Sequence, residues 1–199
     1  MDELKTEVTY YDPNDAPKEY VPIPKGKYMA HVSEFGISNN GWLSNDNQLA
    51  VIYEAKYKLS EKYLENKILR NDQGSEFAGS EFAGREVRSK GIFLFKKPGP
   101  SETFKANPAG NKRMFIFLEA VNYPLNSVTV KNDKGQEINV KEIPVDIDDT
   151  KIIGQPILIE IGHELYKEKT YEKEFQVFKP LDGYEPIKVE EEEDDDVPF

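Results

Sequence analysis

Leu49-Ala50-Val51-Ile52-Tyr53-Glu54-Ala55-Lys56-Tyr57-Lys58-Leu59 decides how the rest of this chain is read. Leu49, Val51, Tyr53, Ala55, Tyr57 and Leu59 recur with period two and share one face of an extended strand, while Glu54, Lys56 and Lys58 point to the other. One side is therefore core and the other is wet. Upstream, Gly26 opens a strand in which Tyr28, Ala30 and Val32 alternate against Lys27, Met29 and His31. Between the two lies Ser38 to Asp46, rich in turn formers, which reads as a loop exposing Trp42, the only tryptophan. Residues 1–25, with Pro13, Pro17, Pro22 and Pro24, read as an extended lead-in.

Downstream, residues 60–84 read as a long connection holding a tandem duplication, Gly74-Ser75-Glu76-Phe77-Ala78 followed by Gly79-Ser80-Glu81-Phe82-Ala83. Two five-residue copies make neither a solenoid nor an array, so the duplication reads as a loop insertion. A third strand runs from about Arg85 to Phe95, with Gly91 placed to bulge and switch which side chains face outward. Asn107-Pro108 caps a helix whose Met114, Phe117, Leu118 and Val121 fall at i, i+3, i+4 and i+7 on one face, and Pro124 ends it. Val128 to Val130 and Ile138 to Val140 flank a turn at Asn132 to Gly135, a hairpin pattern. Pro156 to Ile161 and Glu174 to Phe178 supply two late strands. Three strands, one helix and two further strands outline a mainly β protein, an OB-fold: a five-stranded Greek-key barrel with its helix between strands 3 and 4, here with an extra hairpin. The expected organisation is an extended segment over 1–25, the barrel over 26–180 and a flexible acidic tail over 181–199.

Composition narrows the function classes. The absence of cysteine excludes disulfides and thiolate metal sites, and His31 and His163 have no partner at ligand spacing. Asp146, Asp148 and Asp149 lack the glycine turn and distal glutamate of a calcium loop. No phosphate-cradling glycine loop and no Ser/His/Asp arrangement is present, so neither enzymatic activity nor a cofactor is expected. The charged amino terminus and the lack of an apolar run of about 20 residues lead to the expectation of a cytoplasmic protein.

The net charge of -11 is unevenly spread. Setting aside the seven acids of residues 190–196 leaves 30 acids against 26 bases, a net of -4. From Arg85 to Arg113 there are eight bases and two acids, a local +6. Such a stripe suits a phosphate-tracking groove, because affinity comes from local neutralisation and not from the overall sum.

The chain ends in Glu190-Glu191-Glu192-Glu193-Asp194-Asp195-Asp196-Val197-Pro198-Phe199. Consecutive carboxylates repel and stay solvated, while Val197, Pro198 and Phe199 put an apolar plug and a carboxylate at the tip. This ending closely resembles the tip of bacterial single-stranded DNA-binding proteins, which captures replication and repair partners in basic, apolar-floored pockets. The resemblance assigns partner binding to Asp194, Asp195, Asp196, Val197, Pro198 and Phe199. The body, through Pro24-Lys25-Gly26-Lys27-Tyr28, the strand Leu49 to Leu59, Gly84-Arg85-Glu86-Val87, the single helix and Gly154 to Ile161, resembles a family of phage single-stranded DNA-binding proteins over about residues 20–180. That resemblance implies an OB-fold that coats single-stranded DNA during replication or recombination. The doubled loop and the 126–143 hairpin depart from its pattern.

Sequence-tolerant binding of single strands needs cations for phosphates and exposed rings for bases. The candidate cations are Lys56 and Lys58 on the outward face of the second strand, with Arg88, Lys90, Lys96 and Lys97 on and after the third. The candidate stacking residues are Trp42, Tyr57 and Phe93, with Phe95 beside them. Two other readings stand beside this one: an acidic DNA mimic that inhibits a host enzyme, in which carboxylates line an entire face, and an adaptor that presents the tail and binds no DNA.

Overall fold

A computed structural model describes residues 20–44, 49–95, 108–131, 134–144, 146–166 and 169–188. The alternation along residues 49–59 is realised in β2 (Leu49–Leu59), whose Val51, Tyr53, Ala55, Tyr57 and Leu59 are buried. On one side β2 pairs antiparallel with β1 (Gly26–Leu43), and on the other with β5 (Glu86–Ser89) and β6 (Ile92–Phe95). β9 (Pro156–Tyr166) pairs with β1, and β10 (Lys169–Phe178) pairs with β9. β10 then closes the circuit by running parallel to β5, with Lys173 opposite Arg88. The ring β1-β2-β5-β10-β9 is the closed five-stranded Greek-key barrel of an OB-fold. The long helix α2 (Pro108–Ala120) falls between β6 and β9, as the sequence predicts. Its Met114, Phe117 and Leu118, and Val121 just after it, enter the core, where Phe117 and Tyr53 each stack on Phe35 at 5.2 Å between centroids. The extra hairpin is also present, as β7 (Asn126–Lys131) and β8 (Glu137–Glu142).

Several local expectations differ from the structure. Residues 38–43, read as loop, belong to β1: pairing of Trp42 with Ala50 and of Leu43 with Leu49 outweighs their turn propensity, and register shifts absorb the misfit. The 60–84 connection is structured, with the short helix α1 (Glu61–Leu64) and the hairpin of β3 (Ile68–Arg70) and β4 (Glu76–Ala78). The two copies of the duplication differ: the first supplies β4, while the second forms a 3-10 turn, Gly79–Phe82, that buries Phe82 completely. A side chain at Gly79 would place its Cβ 2.4 Å from the Leu64 carbonyl oxygen, so only glycine fits there.

Both ends of the barrel domain extend further than the alternation suggests. Met29, expected on the wet side of β1, is fully buried, and the Leu181 amide lies 3.4 Å from its sulfur. The segment 181–188 is held by Lys62, which donates to the Gly183 carbonyl, by His31 against the Glu185 carbonyl, and by the Ile187 amide, which donates to the Gly154 carbonyl. Residues 20–25 are likewise part of the folded body, with Ile23 in the core and its carbonyl 2.7 Å from His163 Nε2. The rest of the acidic tail lies outside the described residues.

Candidate nucleic-acid interface

The outward residues of β2 are Ala50, Ile52, Glu54, Lys56 and Lys58, and what surrounds them defines two zones. The break at Lys90-Gly91 between β5 and β6 shifts the alternation by one residue. Val87 and Ser89 face inward before it, and Ile92 and Leu94 after it. Phe93 and Phe95 therefore reach the outer surface, opposite Ile52 and Ala50. Without the break Phe93 would share Val87's side and enter the core.

On that surface Trp42 packs edge-on against Phe93 at 5.1 Å and Phe95 at 6.2 Å between centroids, and the two phenylalanine rings stack at 6.2 Å. All three rings are half-buried on the solvent side of the sheet. Phe95 is further fixed by α2: its amide donates to Asn111 Oδ1 at 2.7 Å and its carbonyl accepts from Asn111 Nδ2. Three rings clustered outside a barrel cannot contribute to its core, and an aromatic face held rigidly at the surface is what a base requires for stacking.

The second zone lies further along β2. Lys56 is flanked by Glu34 of β1, with which it forms an ion pair, and by Arg88 of β5. Lys173 of β10 continues the row beyond Arg88. Lys58 is exposed and sits opposite Glu86, which accepts a hydrogen bond from Ser33. Glu34, Ile37, Glu54, Lys56, Arg88 and Ile153 line a shallow groove of about 430 Å³. Arg88 and Lys58 make no ion pair among the described residues, which leaves their charges available to a ligand.

The structure divides the predicted site residues. Trp42, Lys56, Lys58, Arg88, Lys90 and Phe93 share the outer face, and Phe95 joins them. Tyr57 does not: it is fully buried, its hydroxyl 3.4 Å from Glu174, and burial pushes its pKa well above the ordinary phenol value. It is a core residue with no face to offer a base. Lys96, Lys97 and the tip Asp194 to Phe199 lie outside the described residues.

The basic stripe is also thinner at the surface than in sequence. Arg85 turns inward, donating to the Val21 carbonyl at 2.8 Å and to Glu172 at 3.2 Å, with its guanidinium over the Tyr20 and Phe82 rings. Arg113 of α2 binds the buried Glu174 at 2.7 Å. Lys90 pairs with Glu164 at 2.5 Å. Glu164 binds Lys173 as well, at 3.3 Å.

Sequence reading missed the contribution of β10, whose Tyr171, Lys173 and Phe175 lie on the same outer surface beside Arg88 and Lys90. β10 begins five residues before the Glu174 to Phe178 run that marks it in sequence, and only the pairing with β9 and β5 places these side chains. The fold and this face together define a class: a barrel of the OB type with an aromatic and basic outer surface on its second, third and fifth barrel strands. No family model and no curated protein matches the chain. Among the described residues, no helix is long and apolar enough to cross a membrane, and no group of three or more His, Asp or Glu side chains is placed to hold a metal ion.

Proposed function

We propose that this protein binds single-stranded DNA without sequence preference, as a non-enzymatic strand-protecting protein of phage replication or recombination, and recruits partner proteins through its acidic tip. The observation that carries the reading is the Trp42, Phe93 and Phe95 cluster, half-buried on the solvent side of the same sheet face as Lys56, Lys58 and Arg88. Rings for bases beside cations for phosphates are the two requirements of sequence-tolerant single-strand binding, and OB-folds place them on this part of the barrel. Binding of oligo-dT that weakens steeply with salt tests it; a preference for duplex contradicts it.

The tail belongs to the same account. Ile153 lines the groove, and Ile187 is bonded to the neighbouring Gly154, so the last described residues leave the barrel beside the cations. The eleven residues that follow span up to about 36 Å when extended, enough to bring seven carboxylates to the face. Deleting Glu190 to Phe199 is expected to tighten single-strand binding at low salt, and Phe199→Ala to abolish partner capture with DNA affinity nearly unchanged. Weaker DNA binding by the truncated chain contradicts this role. Glu34, Glu54 and Glu86 share the surface but are interspersed with Lys56, Lys58 and Arg88, short of the wholly acidic face of the mimic alternative, which requires that oligo-dT not bind at all.

A further inference from the structure

Phe175 marks the β10 end of the outer face, away from the Trp42 cluster, and its role there rests on the single-strand reading. Pairing between β9 and β10 shifts register between Glu174, opposite Ile161, and Gln176, opposite Glu160. Glu174 turns into the barrel, and the bulge leaves the Phe175 ring outside, 37% exposed. The ring rests on Gly162, where a Cβ would lie 2.5 Å from ring atom Cε2; the β9 backbone has no side chain there and forms a seat for it. The Lys90 ammonium covers the ring, 3.6 Å from its centroid. The same ammonium is bound by Glu164, which also holds Lys173. Lys90 first and Lys173 second hold the Glu164 carboxyl below its ordinary range, so it is fully ionised at neutral pH.

Lys90 thus has two partners, a carboxylate and a ring face, and a nucleic acid supplies a competitor for each: a phosphate for the ammonium and a base for the ring. We propose that Phe175 is a second base-stacking subsite, closed by a Lys90-Glu164 latch that opens when a nucleic-acid phosphate replaces Glu164 on Lys90. Exposed ion pairs are weak enough to exchange in this way. Exchange lifts the ammonium from the ring and leaves Glu164 on Lys173, which lies opposite Arg88 at the end of the cation row from Lys56. The strand then runs from the Trp42 cluster across β2 and β5 to β10.

The test compares oligo-dT with an abasic deoxyribose-phosphate oligomer of equal length, in wild type and in Glu164→Gln, Phe175→Leu and the double variant. Leucine keeps apolar packing on Gly162 and removes the stacking face. Phe175→Leu is expected to weaken oligo-dT binding about fivefold or more and to leave the abasic oligomer unchanged. Glu164→Gln is expected to tighten both ligands, oligo-dT more than the abasic one, and that excess is expected to vanish in the double variant. An equal gain for both ligands, or an equal loss for both in Phe175→Leu, overturns the subsite while the single-strand reading stands. Absence of wild-type binding to oligo-dT overturns that reading and the subsite with it.

Discussion

Arg85 and Arg88 are three residues apart, one just before β5 and the other within it, and the barrel sends them to opposite environments. The Arg85 guanidinium is committed to Glu172 and the Val21 carbonyl, and it clasps residues 20–25 to the barrel. Glu172 completes the clasp by accepting from the Ile23 amide and the Tyr20 hydroxyl, whose pKa burial and this carboxylate push up to about 12. Arg88 lies in the groove on the outer face with no ion pair among the described residues. The same division separates Arg113, bound to a buried glutamate, from Lys58, exposed on the wet face of β2 with no ion pair among the described residues. A charged residue's task is set by the face it lands on and the carboxylate it meets, so a local +6 in sequence overstates the cations that a phosphate can reach.

Variants that cross this division are expected to differ in kind as well as size. The largest effect falls on Arg113→Ala, which strands the Glu174 carboxylate, 1% exposed and with Oε1 already lacking a hydrogen-bond partner. A loss of about 3 kcal/mol in urea unfolding is expected, the cost of orphaning one member of a buried pair. Burial already raises the Glu174 pKa from its ordinary 4.5, against the opposing pull of Arg113. The folded chain therefore holds this proton more tightly than the unfolded chain does. The stability the group contributes is complete below about pH 4.5 and declines as pH climbs through the higher folded value. Wild type is accordingly expected to lose more stability than Glu174→Gln between about pH 5 and about pH 8, measured as the shift of the urea midpoint. Equal shifts would mean that Glu174 is not held in a raised state.

Arg85→Ala is expected to cost about 1 to 2 kcal/mol, because Glu172 at 10% side-chain exposure keeps two other donors when the arginine is lost. Proteolysis within residues 20–25 reports the release of that segment. Arg88→Ala sits at the other extreme, with less than about 0.5 kcal/mol on stability. Its effect is on binding: the log-log salt slope for oligo-dT is expected to fall by about 0.7, one single-strand phosphate contact. If Arg88→Ala destabilises the protein as much as Arg113→Ala does, or Arg113→Ala leaves the urea midpoint unchanged, the division between clasp and contact is wrong.

The duplicated pentapeptide shows why part of this was legible in sequence and part was not. Gly74 to Ala78 and Gly79 to Ala83 are identical, yet the first gives an edge of β4 with Phe77 half-buried, while the second gives a 3-10 turn with Phe82 in the core. No local signal separates identical strings; the Leu64 backbone against Gly79 does. Where burial imposes a period, as in β2 and on the inner face of α2, the residues announce their own faces. The break at Gly91 was legible because glycine marks it, and it decides that Phe93 points outward. Residues 38–43 hid their strand because only cross-strand pairing with Leu49 to Ile52 holds them extended. Tyr57 carries the period of the core and looked like a platform only as one aromatic among lysines. Phe175 depends on a bulge against β9, and the partners of Arg85 and Arg113 lie 87 and 61 residues away. Ion pairing across such separations leaves no trace in local sequence.

Trp42, the sole tryptophan, sits within the aromatic cluster of the outer face proposed to bind single strands. Its fluorescence titrated with oligo-dT at about 50 mM and about 200 mM salt reads that binding directly. Saturable quenching is expected at the lower salt, with binding weaker by an order of magnitude or more at the higher and little response to duplex of equal length. Trp42 emission that oligo-dT leaves unchanged at low salt, with no binding seen by an independent mobility measurement, would contradict single-strand binding by this face.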